Sequence, residues 1–595
     1  MSTNGLEPSN GARAVRAPSG LRSALYERLI CQGLLMLGCI AMGWLATRLN
    51  NHFYSSNQPF FDSLDYHFRT HQVMKRCQEQ GLFAAIKFAC IDVTVCLPFL
   101  IAAFAGLVCE PSRHVGIWIQ TFEFTCFCIT AWWYFAKTHR LSPVTSLALT
   151  APFFLLRCLY MNNGGLSDYR MDLSLAILFA TTCLWYLIAS RGNEQWPYWL
   201  LGISCAATCL FRGTAPVYFI IALGPVVLWD LIVRIRDQSY LQGMTKALIL
   251  AIVLSIWFYL LNFNTLYYYY FVWNTDANAH LPLAQAIRHF SFVFHHIGSE
   301  TLLYVVAFHL LVVFCRFQNR SRHLAESNDS TWWDFVRIDC RLLWVALAPA
   351  LFLVFRGAGL NPFVCMPSAL GLLLFAQIPN QFSRGQSLNW SAASVLLLVF
   401  VVCDYKVIQR GWKSHDGESP HSMVAHQRTL DTILDDMQQN NVVEARFATS
   451  HSYFLNTHSL ASVAVFDRVG ARQTSDAIKI ENATLRPDGV FSLSAEADWA
   501  RTPGASDSEK LSLLATKVGE ELDYIVMPTA ECSAMLRDRV AHNVINRYAV
   551  RLREELLSKG NWELISTEIR NRADETVQVY RNNRIHAAQR LSTLR

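Results

Sequence analysis

The chain has 595 residues, of which 52% are hydrophobic and only 16% are charged. This balance excludes an ordinary soluble protein and predicts an integral membrane protein. The formal net charge is +6, and the positions of the basic residues, more than their number, indicate the membrane topology. We expect no nucleic-acid partner.

Apolar windows with the length of a membrane span begin near residue 29. A helix needs roughly 20 mainly apolar residues to cross the hydrocarbon core, and many windows meet or approach that length. We therefore predict a mostly α-helical polytopic membrane protein with about 11 transmembrane helices between residues 29 and 404. The predicted spans are 30–48, 115–135, 143–161, 173–189, 198–211, 215–233, 246–262, 301–315, 341–355, 363–378 and 389–404.

A further apolar run, 88–109, is long enough to span but carries Asp92 and Pro98. If it does not cross, the basic clusters between the spans all fall on one side, and that side is cytoplasmic because Lys and Arg in short loops stay inside. We therefore predict that 88–109 is re-entrant or lies along the interface. If it does cross, every later segment is inverted. The basic groups are Arg13, Arg16, Arg22, Arg28, Lys137, Arg140, Arg191, Arg234, Arg236, Arg316, Arg320, Arg322, Arg337, Arg341 and Arg384.

This orientation places the polar N-terminal segment, 1–28, in the cytoplasm, and we predict that it is disordered. Three unusual connections then lie outside: 50–87, 162–172 and 263–300. Acidic and aromatic residues gather in these outer loops. We therefore expect the chemistry at the outer membrane face.

Residues 405–595 have the composition of a soluble domain, which the predicted orientation places outside the membrane. Helical spacing over 420–440, the strand-like stretches EARFATSHSYFL and LDYIVMP, and a hairpin of WELISTEI with TVQVYRN predict a mixed α/β domain. We interpret it as a capping or recognition module, because it contains no nucleotide loop or catalytic constellation.

The first outer loop contains two carboxylates, Asp62 and Asp65, in the stretch FFDSLDYHF. They are three residues apart and would share one face of a helix over 61–80. One acid could cap that helix, but the pair beside a membrane favours a catalytic role for at least one. His67 and His71 are four apart and could bind a metal ion with Asp65; the alternative is that they are ordinary residues of an interfacial helix.

The second outer loop, SDYRMD, places Asp168 and Asp172 on either side of Arg170, after Gly164 and Gly165. Ionic capping of the next span would explain either acid alone. Two acids, an arginine and a flexible pair of glycines in one short loop indicate a site.

Arg212 and Arg356 lie at predicted outer ends of spans, in CLFRGTAPVYF and FRGAGLNP. A guanidinium facing a cavity would suit a phosphate or pyrophosphate, which it binds in bidentate fashion. The alternative is that each side chain reaches up to the membrane interface.

The 17 cysteines show no paired spacing typical of a metal knuckle or a disulfide framework. We predict that most are small buried apolar residues. Compact loops and unpaired cysteines favour a bacterial inner membrane. Matches to Asn-x-Ser/Thr at Asn319, Asn328, Asn389 and Asn482 are too common by chance to exclude an endoplasmic reticulum.

The order of these features along the chain and their residue types resemble those of the large polytopic glycosyltransferases with the C-type fold that use lipid-linked sugars. This family includes protein O-mannosyltransferases and lipid A aminoarabinose transferases. The resemblance covers about the first 230 residues. It consists of a first span followed by the acidic stretch FFDSLDYHF, an outer loop whose Asp opens the span MDLSLAILFATTCLWYLIASRG, and the cation-Gly-Thr end of WLLGISCAATCLFRGTA. The chain departs from the family because its first acids are not adjacent and because Arg212 stands where relatives often have Lys.

The resemblance implies transfer of a sugar from a polyprenyl phosphate or pyrophosphate carrier at the outer, periplasmic face. Asp62 or Asp65 would act as general base on the acceptor, Asp172 is a further catalytic candidate, and Arg212 or Arg356 would stabilise the departing phosphate. The residues we expect to contact the substrates are Asp168, Tyr169, Arg170, Arg212, Arg356, Tyr66 and Trp273.

The scheme requires no cofactor, and a divalent metal such as Mg²⁺ or Mn²⁺ is left open. The acceptor could be a lipid, a glycan or a protein, and a glycan polymerase or ligase would use the same carriers. The rival function is a transporter or lipid flippase, whose acids would carry protons or bind the cargo. A non-catalytic scaffold would leave the clustered acids unexplained.

Overall fold

The computed structural model of the chain describes residues 19–54, 61–138, 141–162, 164–191, 194–267, 295–320, 341, 344–345, 347–349, 351, 390–416, 423–449, 460, 472–473, 478–480, 482–487, 506–530, 540–570 and 575–583. The helices of the N-terminal two thirds are α1 (Ser19–Tyr54), α2 (Phe61–Gln80), α3 (Leu82–Cys90), α4 (Leu97–Ala105), α5 (His114–Trp133), α6 (Pro143–Thr150), α7 (Met171–Arg191), α8 (Trp196–Phe211), α9 (Ala215–Ala222), α10 (Gly224–Val233), α11 (Gln238–Leu261), α12 (Phe263–Tyr267), α13 (Ser299–Arg320) and α14 (Trp390–His415). A π-helical segment, Tyr134–Thr138, continues α5, and 3₁₀ turns occupy Ala151–Leu155 and Arg157–Tyr160.

Five of the described helices are long and apolar enough to cross a membrane: Tyr26–Tyr54, His114–Thr138, Met171–Arg191, Gln238–Leu261 and Ala392–His415. Helices α9 and α10 meet at 46° and would make a sixth span if they form one broken crossing. The predicted spans at 30–48, 115–135, 173–189, 246–262 and 389–404 are confirmed as span-length apolar helices. Helix α1 begins at Ser19, inside the segment predicted to be disordered.

Three further predicted spans coincide with shorter apolar helices, Pro143–Leu155, Trp196–Phe211 and Ser299–Leu311. The window 363–378 lies outside the described residues, and so does most of 341–355. The predicted total of about 11 spans therefore remains a prediction.

Helix α7 is the central helix of the described bundle. Nearly all of its side chains are buried, because α5 and α8 both pack against it, and α11 packs on the far side of α8. By contrast, α1 and α11 expose leucine and isoleucine side chains along their length. A helix that is apolar all round belongs in an interior, and exposed apolar surface on the outer helices suits contact with lipid.

The segment predicted to be re-entrant or interfacial forms two short helices and not one straight span. Helices α3 and α4 have nine residues each, so each is about 14 Å long at 1.5 Å per residue. The Asn262 side chain holds the break between them by donating to the Cys90 carbonyl (2.8 Å) and accepting from Val93 N–H (3.0 Å). Arg69 of α2 donates to the Phe88 carbonyl at 3.0 Å. The break is therefore a fixed elbow packed against α2.

Three of the basic residues that were predicted to be cytoplasmic lie at one end of the bundle. Lys137 pairs with Glu194 at 2.8 Å, Arg341 pairs with Asp230 at 2.9 Å, and Arg234 donates to the Ser190 carbonyl. Helix α7 runs from this end to the opposite one, where the second predicted outer loop lies. These three basic residues therefore lie at the opposite end of α7 from the second predicted outer loop.

The C-terminal region is an α/β domain built on one sheet. Its elements are α15 (Met423–Gln439), β1 (Glu444–Thr449), β2 (Arg472–Gln473), β3 (Ile478–Ile480), β4 (Ala483–Pro487), α16 (Asp507–Glu521), β5 (Tyr524–Pro528), α17 (Val540–Ser558), β6 (Trp562–Leu564), β7 (Ile569–Arg570) and β8 (Thr576–Asn582). The described strands lie in the order β2-β3-β4-β1-β5-β8-β6, with β7 beside β8. Strand β1 is parallel to β4 and β5, and β8 runs antiparallel to β5.

Alternation along the central strand β5 gives this domain two apolar cores. Tyr524 and Val526 pack with α15 on one face, and Ile525 and Met527 pack with α16 and α17 on the other, because successive strand residues point to opposite faces. The predicted helix over 420–440, the strands in EARFATSHSYFL and LDYIVMP, and the closing hairpin are confirmed.

Two features join the C-terminal domain to the membrane part. Helix α14 runs through the predicted boundary at 404/405 and ends at His415. In addition, Phe68 of α2 is buried in the same apolar cluster as Met423 and Ala425 of α15. Helix α2 is therefore in contact with the C-terminal domain as well as with the bundle.

Candidate active site

Helix α2 carries the first predicted acids. The predicted helix over 61–80 is confirmed, with bounds Phe61–Gln80, and Asp62 and Asp65 lie in its first two turns. Their side chains lie outside the described part of the chain. Their catalytic roles, and the choice between them, therefore remain predictions.

One face of α2 holds the second predicted loop, 162–172. Ser63 Oγ donates to the Asp168 carbonyl, the His67 and Tyr169 ring centroids are 5.1 Å apart, and Thr70 Oγ1 hydrogen-bonds the Tyr169 hydroxyl at 3.1 Å. Positions 63, 67 and 70 recur on one side of an α-helix. The acidic helix and the acidic loop are thus in contact.

Tyr169 fixes the conformation of this loop. Its backbone has φ of +47°, which is uncommon for a residue with a side chain and marks a locally imposed conformation. The ring is fully buried against Gly116 of α5, where an added Cβ would lie 2.4 Å from a ring carbon. Tyr169 was predicted to contact substrate, and in this structure it locks the loop against α2 and α5.

Asp168 organises the loop from within. Its carboxylate accepts a hydrogen bond from Gly164 N–H at 2.6 Å and lies 3.2 Å from Nε of Arg170. The Asp168 side chain is only 1% exposed, whereas Arg170 is 21% exposed. Of these two predicted substrate contacts, Arg170 is the more accessible.

Asp172 and Arg212 form an ion pair that the sequence alone did not indicate. Asp172 lies in the first turn of α7, and Arg212 follows the last residue of α8; their side chains are in salt-bridge contact, with exposures of 22% and 25%. The negative charge suits the positive end of the α7 dipole. A candidate catalytic acid and a candidate phosphate ligand are therefore adjacent and both reach solvent.

The ends of α1 and α14 also hold the loop. Asn50 Nδ2 donates to the Ser167 carbonyl at 2.7 Å, and Asn162 Nδ2 donates to the Ser414 carbonyl at 2.8 Å. His415 Nδ1 donates to its own helix at Gly411 (2.8 Å), so its Nε2 accepts from the Ser167 hydroxyl at 2.7 Å. Sequence reasoning missed these contacts because up to 252 residues separate the partners.

The two histidines of α2 are neutral near pH 7. Burial, followed by the nearby charges of Arg113 and His114, lowers the pKa of His67 to about 3. Burial and then Lys75 lower the pKa of His71 to about 4. Neither imidazole therefore supplies a positive charge to a phosphate.

The described side chains give little support for a metal ion. Within the described ranges, no group of three His, Cys, Asp or Glu residues could hold one. Asp168 and Asp172 are each paired with an arginine, which opposes a divalent cation. Mg²⁺ or Mn²⁺ remains an expectation from the sequence.

Glu123 is a buried acid that sequence reasoning passed over. It lies in the middle of α5, is 2% exposed, and neither carboxylate oxygen has a hydrogen-bond partner among the described residues. The Ser174 hydroxyl of α7, which also lacks one there, is close enough to interact with it. The signal was available, because Glu123 is the only acidic residue in the predicted span 115–135.

The remaining predicted site residues are not brought to this cluster by the described structure. Tyr66 is half-buried on α2, with its ring 6.5 Å from that of Phe99. Trp273 and Arg356 lie outside the described residues, and their roles stay predictions.

The fold and the site define an integral membrane protein with a polar site at one end of an α-helical bundle and an α/β domain joined to that end. No family model and no curated protein matches the chain. Among solved structures it is similar to the arabinofuranosyltransferase AftD from Mycobacteria, with 12% identity, a TM-score of 0.44, and coverage of 93% of this chain and 40% of that chain.

The chain is also similar to ArnT from Cupriavidus metallidurans, solved bound to undecaprenyl phosphate, with 12% identity, a TM-score of 0.31, and coverage of 91% of this chain and 79% of that one. The chain thus spans well under half the length of AftD. One neighbour is a glycosyltransferase by name, and the other was solved bound to a polyprenyl phosphate.

Proposed function

We propose that this protein is a membrane glycosyltransferase that moves a sugar from a polyprenyl phosphate-linked donor to an acceptor at the outer membrane face. The observation that carries the proposal is the convergence of three parts at one end of the bundle. These are the acidic helix α2, the second predicted loop (162–172) locked against it, and the Asp172–Arg212 pair at the ends of α7 and α8.

The Asp172–Arg212 pair supplies the means to bind a phosphate. Both side chains are partly exposed, so an incoming phosphate can share or replace the carboxylate as the partner of the guanidinium. Arginine binds phosphate oxygens in bidentate fashion. Arg212 would then stabilise the negative charge that develops on the leaving lipid phosphate.

The reaction is a single displacement at the anomeric carbon. The acceptor oxygen forms a bond to that carbon while the carbon–oxygen bond to the lipid phosphate breaks, and the acceptor proton passes to a carboxylate of α2, Asp62 or Asp65. Polyprenyl phosphate leaves with the bonding electron pair. The configuration at the anomeric carbon is inverted, and no covalent intermediate on the protein is needed.

We place the site on the periplasmic side of a bacterial inner membrane, with the N-terminus in the cytoplasm. The segregation of basic groups such as Lys137, Arg234 and Arg341 at the opposite end of the bundle supports this orientation. The C-terminal domain, in contact with α2 through Phe68, would cover the outer mouth and meet the acceptor, whether lipid, glycan or protein.

A transporter or flippase is the second candidate function, and Glu123 favours it. Its carboxylate is buried at mid-span without a hydrogen-bond partner among the described residues, and such a carboxylate is typical of proton-coupled transport. The glycosyltransferase remains preferred because the outer acids and arginines cluster where a lipid-linked substrate would arrive.

The experiment that separates the two functions measures polyprenyl phosphate release by the purified protein from a panel of polyprenyl-linked sugars, with and without crude membrane acceptors. Turnover of one donor, lost in Arg212→Gln and largely kept in a matched variant at the opposite end, Arg234→Gln, supports transfer. If folded wild-type protein turns over no donor but moves a lipid or solute in proteoliposomes, the transporter replaces it.

A further inference from the structure

Cys90 and Cys96 face each other across the elbow between α3 and α4. Their sulfur atoms are 3.6 Å apart, with the Cys96 thiol donating to the Cys90 sulfur. Both residues are buried, Cys90 with 6% exposure and Cys96 with none. A disulfide bond is about 2.0 Å long, so the two sulfurs need to approach by roughly 1.5 Å.

The elbow allows that approach because both cysteines lie where the helices end. Cys90 is the last residue of α3 and Cys96 immediately precedes α4, so only the irregular segment 91–95 separates them. The Cys90 carbonyl is held by Asn262 (2.8 Å). The Cys96 N–H donates to the Leu210 carbonyl at 2.9 Å. The backbone is thus held by hydrogen bonds on both sides of the pair.

This pair differs from two other cysteine pairs. Cys39 and Cys128 interact between the span helices α1 and α5, and Cys205 and Cys209 interact within the apolar helix α8. A thiol must ionise to attack a disulfide, and the interior of the bilayer disfavours charge. By contrast, α3 and α4 are not among the span-length helices of the described chain, and Cys96 contacts the end of α8 just before Arg212.

We propose that Cys90 and Cys96 are a redox-active pair that closes to a disulfide at the edge of the site. The inference uses the outer orientation from the proposed function but not the transfer reaction. The oxidant is a protein disulfide of the extracytoplasmic compartment. Its bond breaks as Cys90 attacks one of its sulfurs, and Cys96 then displaces the second thiol from Cys90. Two electrons pass to the oxidant, which ends as two thiols carrying the two protons.

Cys90 is the sulfur suited to attack first. It is the more exposed of the two, and the hydrogen bond that Cys96 donates lowers the pKa of Cys90. Once formed, the disulfide ties the end of α3 to the start of α4. Arg69 of α2 is hydrogen-bonded to the Phe88 carbonyl of α3, and Cys96 is hydrogen-bonded to Leu210 at the end of α8. The disulfide would therefore fix the distance between Arg69 and the end of α8.

The test is differential alkylation of the full-length protein in its membranes. Free thiols are trapped with N-ethylmaleimide under denaturing conditions, disulfides are then reduced, and the released thiols take a second, isotopically distinct reagent. The first label marks free thiols and the second marks thiols released from a disulfide. We expect the second label on Cys90 and Cys96 to exceed the first by about tenfold. This ratio corresponds to a reduction potential of the pair roughly 30 mV below that of the compartment. Cys205 and Cys209 should carry the first label.

Peptide cleavage on the N-terminal side of Asp92 separates the two cysteines and proves the pairing. The two fragments should stay joined until reduction. In Cys96→Ser, Cys90 should take the first label, whereas Cys209→Ser should leave the Cys90–Cys96 bond intact.

First-label alkylation of Cys90 and Cys96 to the same extent as Cys205 and Cys209, even after incubation of the purified protein with oxidised glutathione, would overturn the proposal. The wild-type measurement decides this alone if Cys96→Ser fails to fold. If the Cys90–Cys96 disulfide forms but the protein transfers no sugar, the result would contradict the proposed function and not the redox pair.

Discussion

Gly116→Ala tests whether Tyr169 lies where the structure places it. A Cβ at position 116 would meet three ring carbons of Tyr169 at 2.4, 2.5 and 2.6 Å. The ring cannot easily retreat, because its hydroxyl is bonded to Thr70 at 3.1 Å and it packs against His67 at 5.1 Å between centroids. Overpacking of this kind costs ~1–3 kcal/mol.

The matched control is Gly33→Ala in α1, where an added Cβ would meet nothing within 4 Å. Replacing glycine by alanine inside a helix gains up to about 1 kcal/mol, and both positions are helical. The difference in free energy of unfolding between the two variants therefore isolates the clash. We expect Gly116→Ala to lie ~1–3 kcal/mol below Gly33→Ala in an equilibrium unfolding titration in mixed micelles.

Gly116→Ala should also turn over the donor more slowly than Gly33→Ala. The clash displaces Tyr169 and the loop that leads into Asp172, and a misplacement of about 1 Å near reacting groups can cost about 100-fold in rate. Equal stability and equal turnover of Gly116→Ala and Gly33→Ala would refute the packing of Tyr169 against α5.

Three further predictions follow from the site. Asp172→Asn and Arg212→Gln should each lower donor turnover, and the double variant should lose little more than either single variant because the pair acts as a unit. The free energy of unfolding should change by only ~0.2–1 kcal/mol, since both side chains are partly exposed. Additive losses of turnover in the double variant would contradict the pairing. The folded-state pKa of His67 is depressed to about 3, so its contribution to stability is complete above the unfolded pKa near 6.5 and is lost as pH falls from there toward 3. A His67→Gln variant should show a weaker loss of stability with acid in the same unfolding titration between pH 7 and pH 4, and an unchanged pH dependence would contradict this burial. Glu123→Gln should melt at the same temperature as wild type or higher, since it removes a buried acid that has no hydrogen-bond partner among the described residues; a clear fall in thermal stability would show that the carboxylate is ionised and compensated.

The sequence predicted the regular elements well where a single periodic pattern determines them. Apolar windows found the long membrane helices because the bilayer imposes a length on each one. Ser63, His67 and Thr70 lie on one side of the helix predicted over 61–80. The short apolar run in LDYIVMP predicted strand β5 of the C-terminal sheet. These are local properties, and each is readable within about 20 residues.

The contacts that build the site could not be read in this way. Asp172 and Arg212 are 40 residues apart, and Ser167 and His415 are 248 apart, so no spacing rule links them. The sequence named Tyr169 as an aromatic that would meet substrate, yet a positive φ and the absence of a side chain at Gly116 turn the ring into the core. Glu123 was overlooked for a different reason. The predicted span 115–135 was recognised by its average apolar character, which does not reveal the single acidic residue within it.

The most direct measurement of the central claim is polyprenyl phosphate release by wild type, Asp62→Asn and Asp65→Asn, with Glu194→Gln as a control at the basic end of the bundle, where Glu194 pairs with Lys137. Each variant is first shown to unfold at the wild-type midpoint. The account predicts that one α2 variant loses turnover by at least about 100-fold, as expected for removal of a general base, while Glu194→Gln keeps it. Full turnover in both aspartate variants would contradict a catalytic base on α2 and with it the proposed mechanism.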